Sequence, residues 1–572
     1  MTGLRFVVSV GPQQVSDGLL ELRAEFAVQG TGPVLLSMPA WTPGAYEIAN
    51  HARSVMGFAA TQAGRPLRWD KLDPDTWRVW PQRSGRVELR YRVRAERLDV
   101  AGSWLTEGFG FFNGTNLFLE VEGRPHTPAL VAIDVPSDWR VTTGMTPHDS
   151  TNVFRAEDVH DLMDHPVFVG RFDLDSALVG ERWMRLATWP EGSLAGARRA
   201  ALWDAAMRSV EPMVAVFGDL PWRSYTILQV AHPDVPGMSA LEHSESELAL
   251  VGSSFLDEPF VLSIHAHEIV HAWNVKRLRP SELVPYRYDR AQPTPWLWVS
   301  EGITDYYADL ALLRGGIRDE SAFLSATLDK IESVTARPPT ALEDASLQAW
   351  IGIEDGTGDL YYDKGSLAGL ALDILIRDAS ANERSLDHVV RELYDGTYRA
   401  GRGFTHDDFW NAVARATRGR AWGDFERRYL DGRDTYPWAD WLQRGGWRLV
   451  EDSIAEPRLG VLLREHPDGV LVSAVDPEGA GARAGLQIGD VITELGGRSV
   501  LDPGFGDYWR GVWGRRPGAM LPIRATRAGQ SLVLSATVEL QPRVERRIEP
   551  DPNADAKARR IRAGILAGTP RP

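Results

Sequence analysis

"HAHEIVHAWNVKRLRP" (residues 265–280), followed by "WLWVSEGITDYYADL" (296–310), decides how this chain folds around its chemistry. The first stretch sets His267 and His271 four residues apart, with Glu268 directly after the first histidine. On a helix, residues four apart share a face, so both imidazoles can present a nitrogen to one ion. Glu268 then stands where a carboxylate can take a proton from a metal-activated water. Zinc catalysis needs three protein ligands and an open position. A histidine six residues beyond His271, with glycine midway, would supply the third; those positions are Arg277 and Asn274. The second stretch offers a carboxylate instead. Pro280, Pro285, Pro293 and Pro295 end the first helix and let a second fold back beside it, bringing Glu301 to the site. Asp305, four residues on, shares the face of Glu301. It is either a ligand or, as the better expectation, an acceptor for a ligand imidazole. His265 points away from the pair and reads as structural.

Composition narrows the chemistry. The chain has 572 residues, 43% of them hydrophobic and 25% charged, which suggests several globular domains. Its formal net charge of -15 argues against a general nucleic-acid binder. With no cysteine, a metal must sit on His, Asp or Glu. No stretch reaches the length of a membrane span. "MTGLRFVVSVGPQQ" at the N-terminus reads as a first strand rather than a signal peptide. The expectation is a cytoplasmic protein, or a periplasmic one if a leader has been removed.

The pattern along the chain changes three times. Residues 1–168 alternate apolar and polar at period two, as in "VELRYRVRA" (87–95), where Val87, Leu89, Tyr91 and Val93 share a face. Within this β domain, "WTPGAYE" (41–47) reads as a tight structural corner. Residues 169–450 carry the strand-like "SYTILQVA" (224–231) and helical periodicity at 197–217, 260–278, 297–314, 321–335, 364–380 and 406–417. This α+β region holds the metal motif. A third unit spans 455–541, and 542–572 reads as a solvated tail or a terminal helix.

These residues resemble a known family. "HEIVHAWNVKRLRP", "WVSEGITDYYADL" and "YYDKGS" (361–366), with "WTPGAYE" and "GFFNGTNLFL" (110–119), are similar to the glycyl aminopeptidases, family sixty-one of the metallopeptidases. These are gluzincins, related to aminopeptidase N and leukotriene hydrolase and more distantly to thermolysin. The resemblance implies a multidomain α+β fold: an N-terminal β-sandwich-like domain, a thermolysin-like α+β and helical catalytic domain, and a C-terminal PDZ domain. It implies zinc on His267, His271 and Glu301, Glu268 as general base, and Tyr362 as hydrogen-bond donor to the oxyanion, with Tyr361 as fallback. In "Met238-Ser239-Ala240-Leu241-Glu242-His243", Glu242 aligns with the glutamate that captures the substrate's α-amine. Read from residues alone, Glu242 is equally a solvated strand carboxylate. Ser239 and Ala240 stand where relatives carry glycines, which leaves strict exopeptidase behaviour open.

In the third unit, "RLGVLL" (458–463) and "GARAGLQIGDVITELGGRSV" (481–500) resemble a PDZ core. There the backbone N–H groups of Leu459, Gly460 and Val461 would cradle a C-terminal carboxylate, unless the module only packs on the body with its groove blocked. The implied function is a zinc-dependent aminopeptidase acting on peptides with a free N-terminus, favouring glycine or small residues. The alternatives are a thermolysin-type endopeptidase and a PDZ-based peptide-binding protein with a weakly active protease body.

Overall fold

Alternation in the N-terminal sequence becomes sheet. The computed structural model describes residues 3–568; the first two residues of the expected β domain and the last four of the expected tail lie outside the described residues. Strand Gly85–Arg94 buries Val87, Leu89, Tyr91 and Val93 and turns Arg90 and Arg92 outward. It lies within an eight-stranded sheet of order Thr146–Pro147, Val153–Ala156, Ala129–Asp134, Leu4–Ser9, Leu19–Val28, Gly85–Arg94, Val55–Gln62, Arg65–Pro66. Two four-stranded sheets accompany it. The apolar core they share includes Phe6, Trp41, Val79 and Phe118, and takes in Val275, Leu283, Tyr286 and Tyr288 from beyond the metal motif. Each such side chain, fully buried, contributes roughly 1.5–3 kcal/mol. The β domain is therefore packed onto the segment that follows the two histidines.

A five-stranded sheet comes next, ordered Asp173–Val179, Arg182–Trp189, Ser224–His232, Ser246–Gly252, Met238–Glu242. Arg182–Trp189 and Ser224–His232 run parallel, which needs a crossover, and helix Gly196–Phe217 supplies it. Met238–Glu242 pairs antiparallel to Ser246–Gly252 and ends the sheet with one free edge. Ala205, Ala266, Ala308 and Leu312 pack together, and the three small residues let helices Gly196–Phe217, Pro259–His271 and Thr304–Arg314 approach closely.

Where the periodicity predicts a helix over 260–278, the α-helix stops at His271. Beyond it the turns tighten and widen irregularly: Lys276 N–H bonds to the His271 carbonyl at 3.0 Å and Leu278 N–H to that of Trp273 at 2.8 Å.

The chain separates into two compact units, 1–448 with 550–572, and 449–549. The second has a sheet of Val461–His466, Gly469–Val475, Val491–Leu495, Met520–Arg527 and Gln530–Thr537 over its own core of Val472, Ile492, Leu521 and Ile523. The chain rejoins the first unit at Pro550 and forms helix Ala556–Ala567, which buries Ile561 and Ile565. Among the described residues, no helix is long and apolar enough to cross a membrane.

Candidate active site

Helix Pro259–His271 opens on a proline at its first turn, where the missing N–H would have no partner in any case. One turn apart near its end, His267 and His271 face each other with their Nε2 atoms 2.9 Å apart. His271 Nδ1 lies 2.8 Å from the Asn274 carbonyl. A carbonyl can only accept, so Nδ1 carries the hydrogen, and Nε2 is the atom turned toward His267 and Glu301. The Asn274 side chain donates to Val299 O at 2.8 Å and to Thr304 Oγ1 at 2.9 Å, stitching the histidine helix to the segment that carries Glu301.

Glu301 sits in a π-helical stretch, Trp298–Ile303, that runs into helix Thr304–Arg314; such local widening of a helix is frequent at functional sites. The next residue explains the close fit. A Cβ on Gly302 would lie 2.5 Å from Gly365 Cα, and one on Gly365 would lie 2.9 Å from Trp298 O. Two glycines in contact let helix Leu360–Ala379 press against the Glu301 turn, bringing Tyr361 and Tyr362 to the same place.

Glu301 Oε2 is 3.2 Å from His271 Nε2 and 3.5 Å from His267 Nε2. The three ligand atoms thus form a triangle with edges of 2.9, 3.2 and 3.5 Å. A tetrahedral zinc ion with ligands at about 2.0–2.1 Å has ligand–ligand edges of about 3.3–3.4 Å. The donor types, two imidazoles and a carboxylate, and their spacing fit such an ion. All three side chains are buried. Burial opposes a charge on His267, yet the neighbouring carboxylates of Asp305 and Glu301 push it up to about 10. Burial likewise opposes charge on Glu301, while His271 and His267 hold it well below the usual carboxylate range. The site is built to surround one positive charge.

Asp305 stands behind His267, its Oδ1 3.7 Å from Nδ1, and is not among the metal-facing atoms. Its other oxygen meets Lys330, whose ammonium also reaches Asp309 at 2.6 Å and Ser366 Oγ at 2.9 Å. His265 bonds to Glu247 at 2.5 Å and Gln229 at 2.8 Å inside the body, as a structural histidine.

Glu242 ends the edge strand. One candidate ligand atom each from Glu242, Glu268 and His271 lies within 4.8 Å of the others, so both carboxylates border the triangle of His267, His271 and Glu301. Burial first, then the charges of Glu242, Glu247 and Glu301, push Glu268 well above the usual range despite the nearby His267. Burial also raises Glu242, against the pull of Lys276. The Lys276 ammonium is buried, 3.8 Å from Glu242 and 3.0 Å from Asp164. The Tyr362 ring centre is 5.9 Å from that of His267 and 4.8 Å from that of Tyr361. Burial and then Glu301 push the Tyr362 phenol well above its ordinary value, keeping it a neutral donor.

The corner "WTPGAYE" is more than a corner. Tyr46 Oη donates to Glu301 Oε1 at 2.7 Å, across 255 positions of sequence. Gly44, at φ +101°, has no room for a side chain: a Cβ would lie 2.4 Å from Glu242 Oε2 and 2.6 Å from Leu241 Cδ1. One turn of the β domain thus touches both Glu301 and the strand-end carboxylate of Glu242. Its sequence signal is a large aromatic inside a Pro-Gly turn, at a position no strand periodicity requires. Lys276 and Asp164 are further residues that motif spacing does not single out.

In the second unit, Leu459 is buried and its carbonyl accepts from Gly481 N at 2.6 Å. Gly460, at φ +70°, lies where a Cβ would come within 2.8 Å of Gly479 Cα. Val461 opens the strand Val461–His466, which lies at the end of its sheet. The three residues meet at one loop leading into one edge strand.

Family models match three parts of the chain: the Peptidase M61 N-terminal domain over residues 8–171, the M61 glycyl aminopeptidase over 261–368, and a PDZ domain over 471–504. No curated protein matches. Among solved structures, an aminopeptidase N family protein from Idiomarina loihiensis is 24% identical, with a TM-score of 0.75 over 98% of this chain and 100% of that one. An M1 zinc metallopeptidase from Deinococcus radiodurans, in a mutant form bound to a Tyr-Ser-Ala substrate, is 18% identical, with a TM-score of 0.50 over 76% of this chain and 96% of that one. At these identities the likeness is one of fold. It is a multidomain α+β fold with an N-terminal β domain, a gluzincin-like catalytic body and a PDZ domain.

Proposed function

Because the chain belongs to the M61 glycyl aminopeptidase family and is a metallopeptidase, we propose that it is a zinc-dependent aminopeptidase that removes glycine or another small residue from the N-terminus of peptides. The observation that carries this reading is the end of the edge strand. A peptide pairing along Met238–Glu242 toward the metal site meets Glu242 and, directly on it, the backbone of Gly44. That leaves a carboxylate for an ammonium group and a wall where a further residue would have to pass. An endopeptidase needs the opposite, a cleft that continues.

Zinc on His267, His271 and Glu301 would supply Lewis acidity, polarising the scissile carbonyl and making water ionisable near neutral pH. Glu242 holds the substrate's α-ammonium. Glu268 takes the proton of the attacking water and returns it to the leaving amine. The Tyr362 phenol donates to the oxygen that gains charge in the tetrahedral intermediate. Asp305, anchored by Lys330, fixes the His267 ring.

For the PDZ domain we propose a peptide ligand with a free C-terminus, paired to Val461–His466. Leu462 and Leu463, 67% and 43% exposed on that strand, support this reading.

The test is hydrolysis of glycyl-, alanyl- and leucyl-anilides beside an N-acetylglycyl control, with chelator and zinc add-back. Chelator-sensitive cleavage of the free-amine substrates alone, fastest for glycyl, is expected. Equal cleavage of the acetylated substrate would overturn the aminopeptidase reading in favour of an endopeptidase.

A further inference from the structure

Glu301 has two oxygens, and they are treated differently. Oε2 faces both imidazoles, at 3.2 and 3.5 Å. Oε1 accepts from the Tyr46 phenol at 2.7 Å, within the range of a short bond from a hydroxyl to a charged carboxylate. We propose that Tyr46, delivered by the N-terminal β domain, is a positioning residue for the metal: its hydroxyl occupies Oε1 so that Glu301 offers the ion Oε2 alone. The inference rests on reading His267, His271 and Glu301 as the metal ligands. A carboxylate with both oxygens free can turn about its terminal bond or bind through both atoms; one pinned by a hydroxyl cannot.

The turn that carries Tyr46 is built for rigidity. Tyr46 itself adopts φ +49°, a left-handed conformation that costs a bulky residue about 1–3 kcal/mol and persists only where surroundings enforce it. The enforcement is visible on all sides. The N–H groups of Ala49 and Asn50 both bond to Ala40 O, at 2.9 and 2.8 Å. Thr42 Oγ1 is 2.7 Å from Thr115 Oγ1, and Trp41 Nε1 donates to Arg287 O at 2.8 Å. The Trp350 ring stands edge-on to both Trp41 and Tyr46, with centres 4.9 and 6.1 Å away. Strain held by a clamped loop, with the hydroxyl on a metal ligand, is pre-organisation: the β domain fixes the carboxylate before the ion arrives. Metal affinity should therefore depend on a residue in the β domain, well over two hundred positions before the ligand it holds.

The experiment compares the full-length wild type with Tyr46→Phe, which deletes one oxygen and keeps the ring against Trp350. Zinc affinity is measured by competition with a chromophoric chelator, and the cobalt-substituted protein is followed by its visible absorption spectrum. Loss of a group that orients a metal ligand typically costs 10–100-fold in affinity. The expected result is a loss in that range with an altered cobalt spectrum, while the metal-free proteins melt alike. Tyr46→Leu reads the same contact in a second packing context, should the first variant fold poorly.

Zinc affinity within about threefold of wild type, well short of the usual loss, would overturn the proposal. So would a fall in turnover with unchanged zinc affinity and cobalt spectrum, which would assign the phenol to the substrate instead. Failure of the wild type itself to bind one zinc would instead strike the metal-centre reading.

Discussion

Replacing Glu242 by glutamine separates the proposed amine anchor from the rest of the site. Glu242 is buried, so the effect of the change on the fold depends on what the carboxylate leaves behind. Its neighbour Lys276 is 3.8 Å away but only 3.0 Å from Asp164. At an effective dielectric constant of 20 these separations correspond to about 4 and about 5.5 kcal/mol of attraction, so Asp164 is the stronger partner. In Glu242→Gln the lysine keeps that partner, and the amide occupies a place where burial already disfavours charge. Stability should change little. Substrate binding should not be spared: a hydrogen bond between charged groups is worth about 1.5–3 kcal/mol, or roughly 10- to 150-fold. The assay is steady-state hydrolysis of glycyl-anilide, with zinc content and melting temperature measured in parallel. The expectation is a loss of that size in kcat/KM, chiefly as a raised KM, with zinc retained. A kcat/KM within about threefold of wild type, far below the energy of a charged hydrogen bond, would refute the anchor and return Glu242 to a structural role.

Glu268→Gln should keep zinc and lose nearly all turnover; retained turnover would remove the general-base role. Tyr362→Phe should lower kcat by about 10²–10³-fold, as the loss of one oxyanion donor does, and a small loss would transfer the role to Tyr361. Asp164 governs an acid transition. Burial opposes its charge, but Lys276 and His243 hold its pKa well below the usual value. The folded pKa is thus below the unfolded value of about 3.9, so the stabilisation is present above that pH and is lost as pH falls through the folded value. Urea unfolding between pH 5 and 3 should show stability falling with pH, by a steeper slope in wild type than in Asp164→Asn; equal slopes would discount the Asp164–Lys276 pair.

What was legible in the sequence was what local geometry writes into it. His267 and His271 could be paired because a helix brings every fourth residue to one face, and Glu301 because a proline-rich connection returns the chain within about thirty residues. The period-two runs marked the β domain because one face of each strand is buried. The end of the histidine helix was not legible. The Asn274 carbonyl is taken by the His271 ring and by Thr304 Oγ1, so the backbone is used for the site instead of for another helical turn. Likewise the π-helical stretch at Glu301 packs through a contact between Gly302 and Gly365, which no spacing within either segment announces.

The residues hardest to read come from the β domain, and they meet the catalytic body at two distinct points. Tyr46 reaches Glu301, and Asp164 reaches Lys276, His243 and Ser244 at the end of the edge strand. Neither contact has a local counterpart that could replace it. Without Tyr46, Glu301 has a free oxygen; without Asp164, the buried Lys276 has Glu242 as its nearest carboxylate partner and would neutralise the group proposed to hold the substrate's amine. The β domain therefore contacts both the carboxylate proposed to bind metal and the lysine beside the carboxylate proposed to hold the amine. Its core is continuous with Val275, Leu283 and Tyr286 just past the histidines. On this argument residues 169–450 alone would retain the histidine helix, Glu301 and Tyr362 and still lack the β-domain residues that contact Glu301 and Lys276.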